Sequence, residues 1–132
     1  MSFIGVSRAW NALIDSLYAM EKIFEVQNAV AIESITRTWQ DDVLDMVEEA
    51  GIDRELARKI IACESSWNSN AIHKNRDGTI DRGLWQINSI HRQSLEVVFN
   101  PIESTEWAIA KYKSGRGFTD WYCYTTGKYK RY

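Results

Sequence analysis

The amino-acid sequence predicts an α+β protein, mostly α-helical, with a single small β-hairpin region. Three observations carry that expectation. Apolar residues recur at spacings of three, four and seven along much of the chain. Acidic first turns and a glycine stop bracket two such stretches. One turn-rich segment, Lys74-Asn-Arg-Asp-Gly-Thr79, interrupts them, and Asp-Gly favours the tight turns that close hairpins.

From Val6 to Thr38, the residues Trp10, Leu13, Ile14, Leu17, Phe24 and Ile35 give the period of one long amphipathic helix or two shorter ones. Such a face needs cover from the rest of the chain, a second copy or a membrane surface. Packing within the chain is favoured, because Arg8, Lys22 and Arg37 are too few for a basic membrane-surface helix. A second helix fits Gln40–Glu49, with Asp41 and Asp42 complementing the dipole of its first turn and Gly51 stopping it. A third fits Asp53–Trp67, with Asp53 as its cap. After the hairpin region, helical patterns resume around Leu84–Arg92 and Ser104–Ser114. Gly115 and Gly117 then break the chain ahead of a tyrosine-rich tail.

The bulk properties exclude several classes. A length of 132 residues suits one compact domain. A net charge of −2 gives no general case for nucleic acid. The charge is uneven, however: Asp41–Glu64 holds eight acids against three bases, and Trp107–Tyr132 six bases against Asp120. No apolar run is long enough to span a membrane, and Asp15, Glu21 and Glu25 interrupt the N-terminal apolar residues, so no signal peptide is expected. Cys63 and Cys123 allow one bridge. The place of Cys63 inside a predicted helix favours two buried free thiols instead. No CxxC spacing is present. The Asn75–Asp81 stretch fails as a calcium loop, since Ile72 and Lys74 stand where oxygen ligands are needed and the distal glutamate is missing. Metal and cofactor are therefore not expected. His73 and His91 have no Ser or Cys partner pattern and read as surface or hydrogen-bonded structural residues.

One constellation carries chemistry. A carboxylic acid that protonates a glycosidic oxygen must stay protonated near neutral pH, which a partly apolar setting provides. Glu64 ends the apolar run Lys59-Ile-Ile-Ala-Cys63, with Trp67 close behind. Alone, a glutamate near a helix end is ordinarily a surface residue. Asp81 changes the reading: it comes after the turn-rich stretch, where a hairpin returns the chain towards the helix of Glu64, and paired carboxylates across a cleft are what glycoside cleavage requires. Asp77 is the rival, but beside Gly78 its carboxylate serves the turn backbone.

The segments Glu64-Ser-Ser-Trp-Asn-Ser-Asn-Ala71, Asn75-Arg-Asp-Gly-Thr-Ile-Asp81 and Gly83-Leu-Trp-Gln-Ile-Asn88 resemble, in order and spacing, the active-site region of the lysozyme superfamily. They are similar both to animal-type lysozymes and to the small specialised lytic transglycosylases of bacterial secretion systems and bacteriophages. Ala108-Ile-Ala-Lys-Tyr112 and Gly117-Phe-Thr-Asp-Trp121 resemble the lysozyme helix and loop that set a tryptophan against the catalytic acid. The resemblance covers about Thr38 to Tyr124. It implies a lysozyme-like fold with its hairpin beside an active-site cleft, a catalytic domain over residues 38–132, and a helical extension over residues 1–37.

Carried over, the resemblance makes Glu64 the general acid and Asp81 the second carboxylate. Ser65, Gln86, Asn88, Trp121 and Tyr112 become substrate-binding residues. Gln86 and Asn88 have a structural alternative, tying the hairpin to the next helix, and Trp85 is expected in the core. The implied substrate is the peptidoglycan glycan strand, cut at the β-1,4 bond between N-acetylmuramic acid and N-acetylglucosamine outside the cytoplasmic membrane. Because the resemblance in length and loop spacing is to the small specialised transglycosylases, it implies transglycosylation over hydrolysis. A glycan-binding module without activity and an assembly component are the competing classes, and residues 1–37 are the place for a virion or secretion-apparatus partner. Two departures, the missing animal-type disulfide framework and Ser69 where many transglycosylases have proline, favour a microbial or phage enzyme.

Overall fold

A computed structural model of the chain describes residues 3–132; residues 1 and 2 of the expected N-terminal extension lie outside them. The chain divides into two units, one ending at Arg37 and the other spanning Thr38–Tyr132. The first is one uninterrupted helix, α1 (Phe3–Thr36), so the longer of the two sequence alternatives holds. Its apolar stripe, including Trp10, Leu17 and Phe24, has no second layer among the described residues of that unit.

The second unit opens with α2 (Trp39–Glu49), which begins where a capping box satisfies its free N–H groups. The Thr38 hydroxyl accepts from Asp41 N–H, and the Asp41 carboxylate accepts from Thr38 N–H at 2.8 Å. Gly51, at φ 79°, ends the helix, and Ile52 N–H reaches back to Val47 O. Helix α3 (Arg54–Ser65) starts on Asp53, whose carboxylate accepts from Leu56 N–H at 2.7 Å. Val43 and Val47 of α2, and Ala57, Ile60 and Ile61 of α3, share the period of a buried stripe and form one wall of the core.

The third helix stops short of its expected end. Ser66 and Trp67 both take left-handed φ, 53° and 61°, so Trp67 leaves the helix path and packs on Trp39 with ring centroids 6.1 Å apart. The chain then enters a three-stranded antiparallel sheet, β1 (Ile72–Lys74), β2 (Ile80–Arg82) and β3 (Ile87–Asn88), in that spatial order. The hairpin was legible; the third strand occupies a stretch expected to be helical. Its physical cause is the backbone at Gly83 and Gln86, held at φ 77° and 49°, which winds Leu84, Trp85 and Ile87 through the core instead of along a helix. Gly83 is also where the chain crosses closest to another segment: a Cβ there would lie 1.8 Å from Val98 O.

After a 3-10 turn at Ser89–His91 come α4 (Leu95–Phe99), capped by Ser94, and α5 (Pro101–Lys111). Helix α5 starts earlier than the apolar pattern suggests, because Asn100 caps both Ile102 and Glu103 N–H and Pro101 takes the first helical position. It ends earlier too. A wider turn at Tyr112–Arg116 comes next, then α6 (Tyr122–Thr125) and a last 3-10 turn, Lys128–Arg131. Trp85 is the hub of the core. Its indole stacks on Phe118 and meets Trp121 edge-on, centroids 6.1 and 5.9 Å away, and its N–H donates to Thr105 Oγ1 at 2.9 Å.

Candidate active site

Antiparallel pairing sets His73 opposite Asp81 and Asp81 opposite Asn88. Directly opposed residues project from the same face of a sheet, so these three side chains form a row across it, while Ile80 and Arg82 project the other way. That row faces a cleft. One arm, of about 460 Å³, runs from Glu64 and Asp81 past Gln86 and Asn88 to Trp107 and Trp121. A second, of about 700 Å³, is lined by the same two carboxylates together with Cys63, Cys123, Tyr122 and Lys128. Glu64, Asp81, Gln86 and Tyr122 belong to both arms, so the arms meet at the carboxylates.

Both oxygens of Asp81 are occupied. Asn88 Nδ2 donates to Oδ1 at 2.7 Å and Asn75 Nδ2 to Oδ2 at 2.9 Å, and each amide also donates to Thr79 Oγ1. This frame fixes the carboxylate on the sheet. Asp77 has the local role expected of it, accepting from the N–H and hydroxyl of Thr79.

Glu64 sits near the end of α3, partly buried, and its Oε1 accepts the backbone N–H of Cys123 at 2.9 Å. Burial lifts its carboxyl above the usual glutamate range; the Cys123 N–H opposes that, and the negative charge of Asp81 adds to it. Cys63 and Cys123 form a disulfide. The expectation of two free thiols is thereby corrected: Cys63 lies on the face of α3 that meets α6, where Cys123 comes within a Cα separation of 6.0 Å, inside bonding reach.

A family model described as the transglycosylase SLT domain matches residues 45–123, more than half of the chain, including Glu64 and Asp81. The chain belongs to the transglycosylase SLT domain family. The invasion protein IagB of Salmonella typhimurium (strain SL1344) is 41% identical over 63 residues, which cover 48% of this chain and 39% of that protein. IagB of Salmonella typhi matches equally. The aligned region thus spans well under half the length of these curated relatives.

This SLT domain distributes the expected site residues unevenly. Glu64, Asp81, Gln86, Asn88 and Trp121 all line the cleft. Gln86 also ties the hairpin down, donating to Ala71 O and Gly83 O, and Asn88 caps Ile90 N–H, so the structural alternative for these two holds alongside their exposure to the cleft. Ser65 and Tyr112 are not brought there. One position past Glu64 on a helix is a turn of about 100°, which puts Ser65 on the buried side, its hydroxyl donating to Ile61 O. Tyr112 caps α5 and packs on Phe118, ring centroids 4.8 Å apart. Trp121 is buried, anchored by its N–H to Trp85 O at 3.0 Å. Trp67 is not among the residues lining either arm.

Residues that sequence reasoning missed include Tyr122, Trp107 and His91, which enter the cleft from the C-terminal third. His91 packs on Trp107 at 5.0 Å, and burial, helped by Lys111 and opposed by Asp120, holds its imidazole below the usual histidine range. Asn75 was inside a quoted motif, and its Asn-x-Asp-Gly-Thr turn was the available signal for its place beside Asp81.

Proposed function

We propose that the SLT domain cleaves the β-1,4 bond between N-acetylmuramic acid and N-acetylglucosamine in peptidoglycan, as a lytic transglycosylase in which Glu64 is general acid and then base. The observation that carries this reading is a carboxyl with raised proton affinity sharing a polar-and-aromatic cleft with a second, fixed carboxylate. The family match supports it.

On this reading each group has a role that can be stated atom by atom. With Oε1 of Glu64 accepting from Cys123, the proton resides on Oε2 and is passed to the oxygen of the leaving sugar. Positive charge then develops on the muramyl ring. Asp81, oriented by Asn75 and Asn88, stabilises that charge from the sheet side without needing to form a bond. The now ionised Glu64 accepts the proton of the muramyl 6-hydroxyl, whose oxygen closes on the anomeric carbon to give a 1,6-anhydro end. No cofactor or metal enters any step. Tyr122, exposed and common to both arms, and Trp107 offer aromatic surface to the sugars on either side of the cut.

Such an enzyme works outside the cytoplasmic membrane, on the glycan strand itself. Helix α1 carries the apolar face on which a secretion-apparatus or virion partner would seat. Mass spectrometry of the fragments released from purified peptidoglycan tests the reaction. Anhydromuramyl ends are expected. Reducing ends, heavier by one water, would mean a muramidase in which Asp81 captures or stabilises the sugar for water; binding without release would mean a glycan-holding module.

A further inference from the structure

We propose that the Cys63–Cys123 disulfide is a positioning clamp on Glu64 that makes cleavage conditional on oxidation. The proposal rests on the reading of Glu64 as the acid.

Cys63 immediately precedes Glu64 on α3, and Cys123 lies on α6, 60 positions further along the chain. Cys123 therefore supplies two ties at once: the covalent bond to the acid's helix and the backbone N–H that holds Glu64 Oε1 at 2.9 Å. Helix α6 has only four residues and no side-chain cap, so little of its own structure fixes that N–H in place. Just before it, Trp121 is buried and hydrogen-bonded to Trp85 O. Beyond Trp121, Tyr124 packs on Phe118 and Arg58 donates to Tyr132 O, so opening the bridge leaves the tail attached and frees only the register of the Cys123 N–H against Glu64. Both cysteines line the second arm of the cleft, where Cys123 is buried and the partly exposed Cys63 offers the sulfur that a small thiol attacks.

The chemistry is thiol–disulfide exchange. A dithiol thiolate attacks one sulfur, forming a mixed disulfide and releasing the other cysteine as a thiolate. The second thiol of the reagent resolves the mixed disulfide, leaving two protein thiols and one oxidised reagent. The reverse exchange, with any small disulfide, restores the bridge. A cytosolic thiol pool favours the open form and an oxidising compartment the closed one. A cell-wall enzyme with this clamp is weak where it is made and competent where it acts.

Other ionisable groups face Glu64. Asp81, His73, Tyr122, Lys128 and Tyr132 share the second arm, and His91, Lys111, Arg116 and Asp120 the first. Of these, Asp81 acts on its proton affinity. None of them changes covalently on reduction, so a change in Glu64 reports a changed setting at the acid: loss of the Cys123 N–H raises its titration and relief of burial lowers it.

The test tracks the Glu64 carboxyl by 13C NMR titration, in the full chain carrying 13C-labelled glutamate, oxidised and after dithiothreitol. Glu64→Gln assigns the signal. Glycan release is measured on the same samples, and Cys63→Ala/Cys123→Ala provides a form that cannot re-oxidise. Losing the donor moves the Glu64 titration up and relief of burial moves it down, so reduction should shift it away from its oxidised position. Release should fall at least fivefold, in both the reduced protein and the double variant, and re-oxidation should restore only the wild type. A folded, reduced protein with an unchanged Glu64 titration and unchanged release overturns the clamp. Global unfolding on reduction, in a far-ultraviolet circular dichroism spectrum, overturns it too, since the bridge would then be a general staple. If the oxidised wild type releases nothing, the proposed function fails, and the titration still decides the clamp.

Discussion

Replacing Glu64 by glutamine should make the protein both inactive and more stable, and the stability gain should depend on pH in a defined way. Burial raises the Glu64 carboxyl, with Asp81 adding to it, so the folded state prefers the protonated form more than the unfolded chain does. For a raised carboxyl, the associated stability is fully present below the unfolded value and is lost as pH climbs through the folded one. Glutamine stays neutral throughout, and its amide oxygen can still accept the Cys123 N–H. At about pH 4, wild type and Glu64→Gln should therefore melt together. Above that, each pH unit separating the folded from the unfolded value adds about 1.4 kcal/mol in favour of the variant. In a unit of about 100 residues, that moves Tm by roughly 6–11 °C. The difference should rise with pH and then level off where pH passes the folded value. Differential scanning calorimetry of both proteins from pH 4 to 8 reads the curve directly. A pH-independent difference, or a variant that melts below wild type at pH 8, would refute the claim that the fold holds Glu64 against its ionisation.

The same geometry predicts two further outcomes. In Asp81→Asn the negative charge that helps lift Glu64 is gone, so the alkaline limb of the rate profile should move to lower pH, and the acid-plateau rate should drop by less than in Glu64→Gln; a limb that stays in place, in stopped assays across pH 4 to 9, would remove Asp81 from the electrostatics of the acid. Gly83→Ala puts a methyl group 1.8 Å from Val98 O at φ 77°, and urea unfolding should show a loss of at least about 3 kcal/mol, whereas a loss within 1 kcal/mol would mean that α4 yields easily.

The parts of the fold that the sequence expressed locally were the legible ones. Asp53 and the acids at 41 and 42 marked the starts of α3 and α2, and Asp77-Gly78 marked the hairpin, because caps and tight turns are made by neighbours in the chain. Leu84–Arg92 misled because Leu84, Trp85 and Ile87 are buried for a tertiary reason: the segment threads the core on left-handed turns, and a buried irregular run has the same composition as a helix face. The Asn100-Pro101 start of α5 was a local signal passed over in favour of apolar period. The cleft positions of Glu64 and Asp81 could be read from their motif. The cysteine bridge and the cleft positions of Tyr122 and Trp107 were not, because each depends on where the C-terminal third folds back, which no local pattern records. Ser65 shows the converse limit, since a motif places it beside the acid but helix geometry turns it inward.

The central claim is that Glu64 is the proton donor of a glycan-cleaving site. Wild type and Glu64→Gln should be incubated in parallel with purified peptidoglycan, with soluble fragments counted by mass spectrometry and bound protein by co-sedimentation. The account predicts anhydromuramyl fragments from wild type, a loss of roughly 100- to 10,000-fold in Glu64→Gln, and unchanged co-sedimentation. Equal release by the two proteins would contradict it.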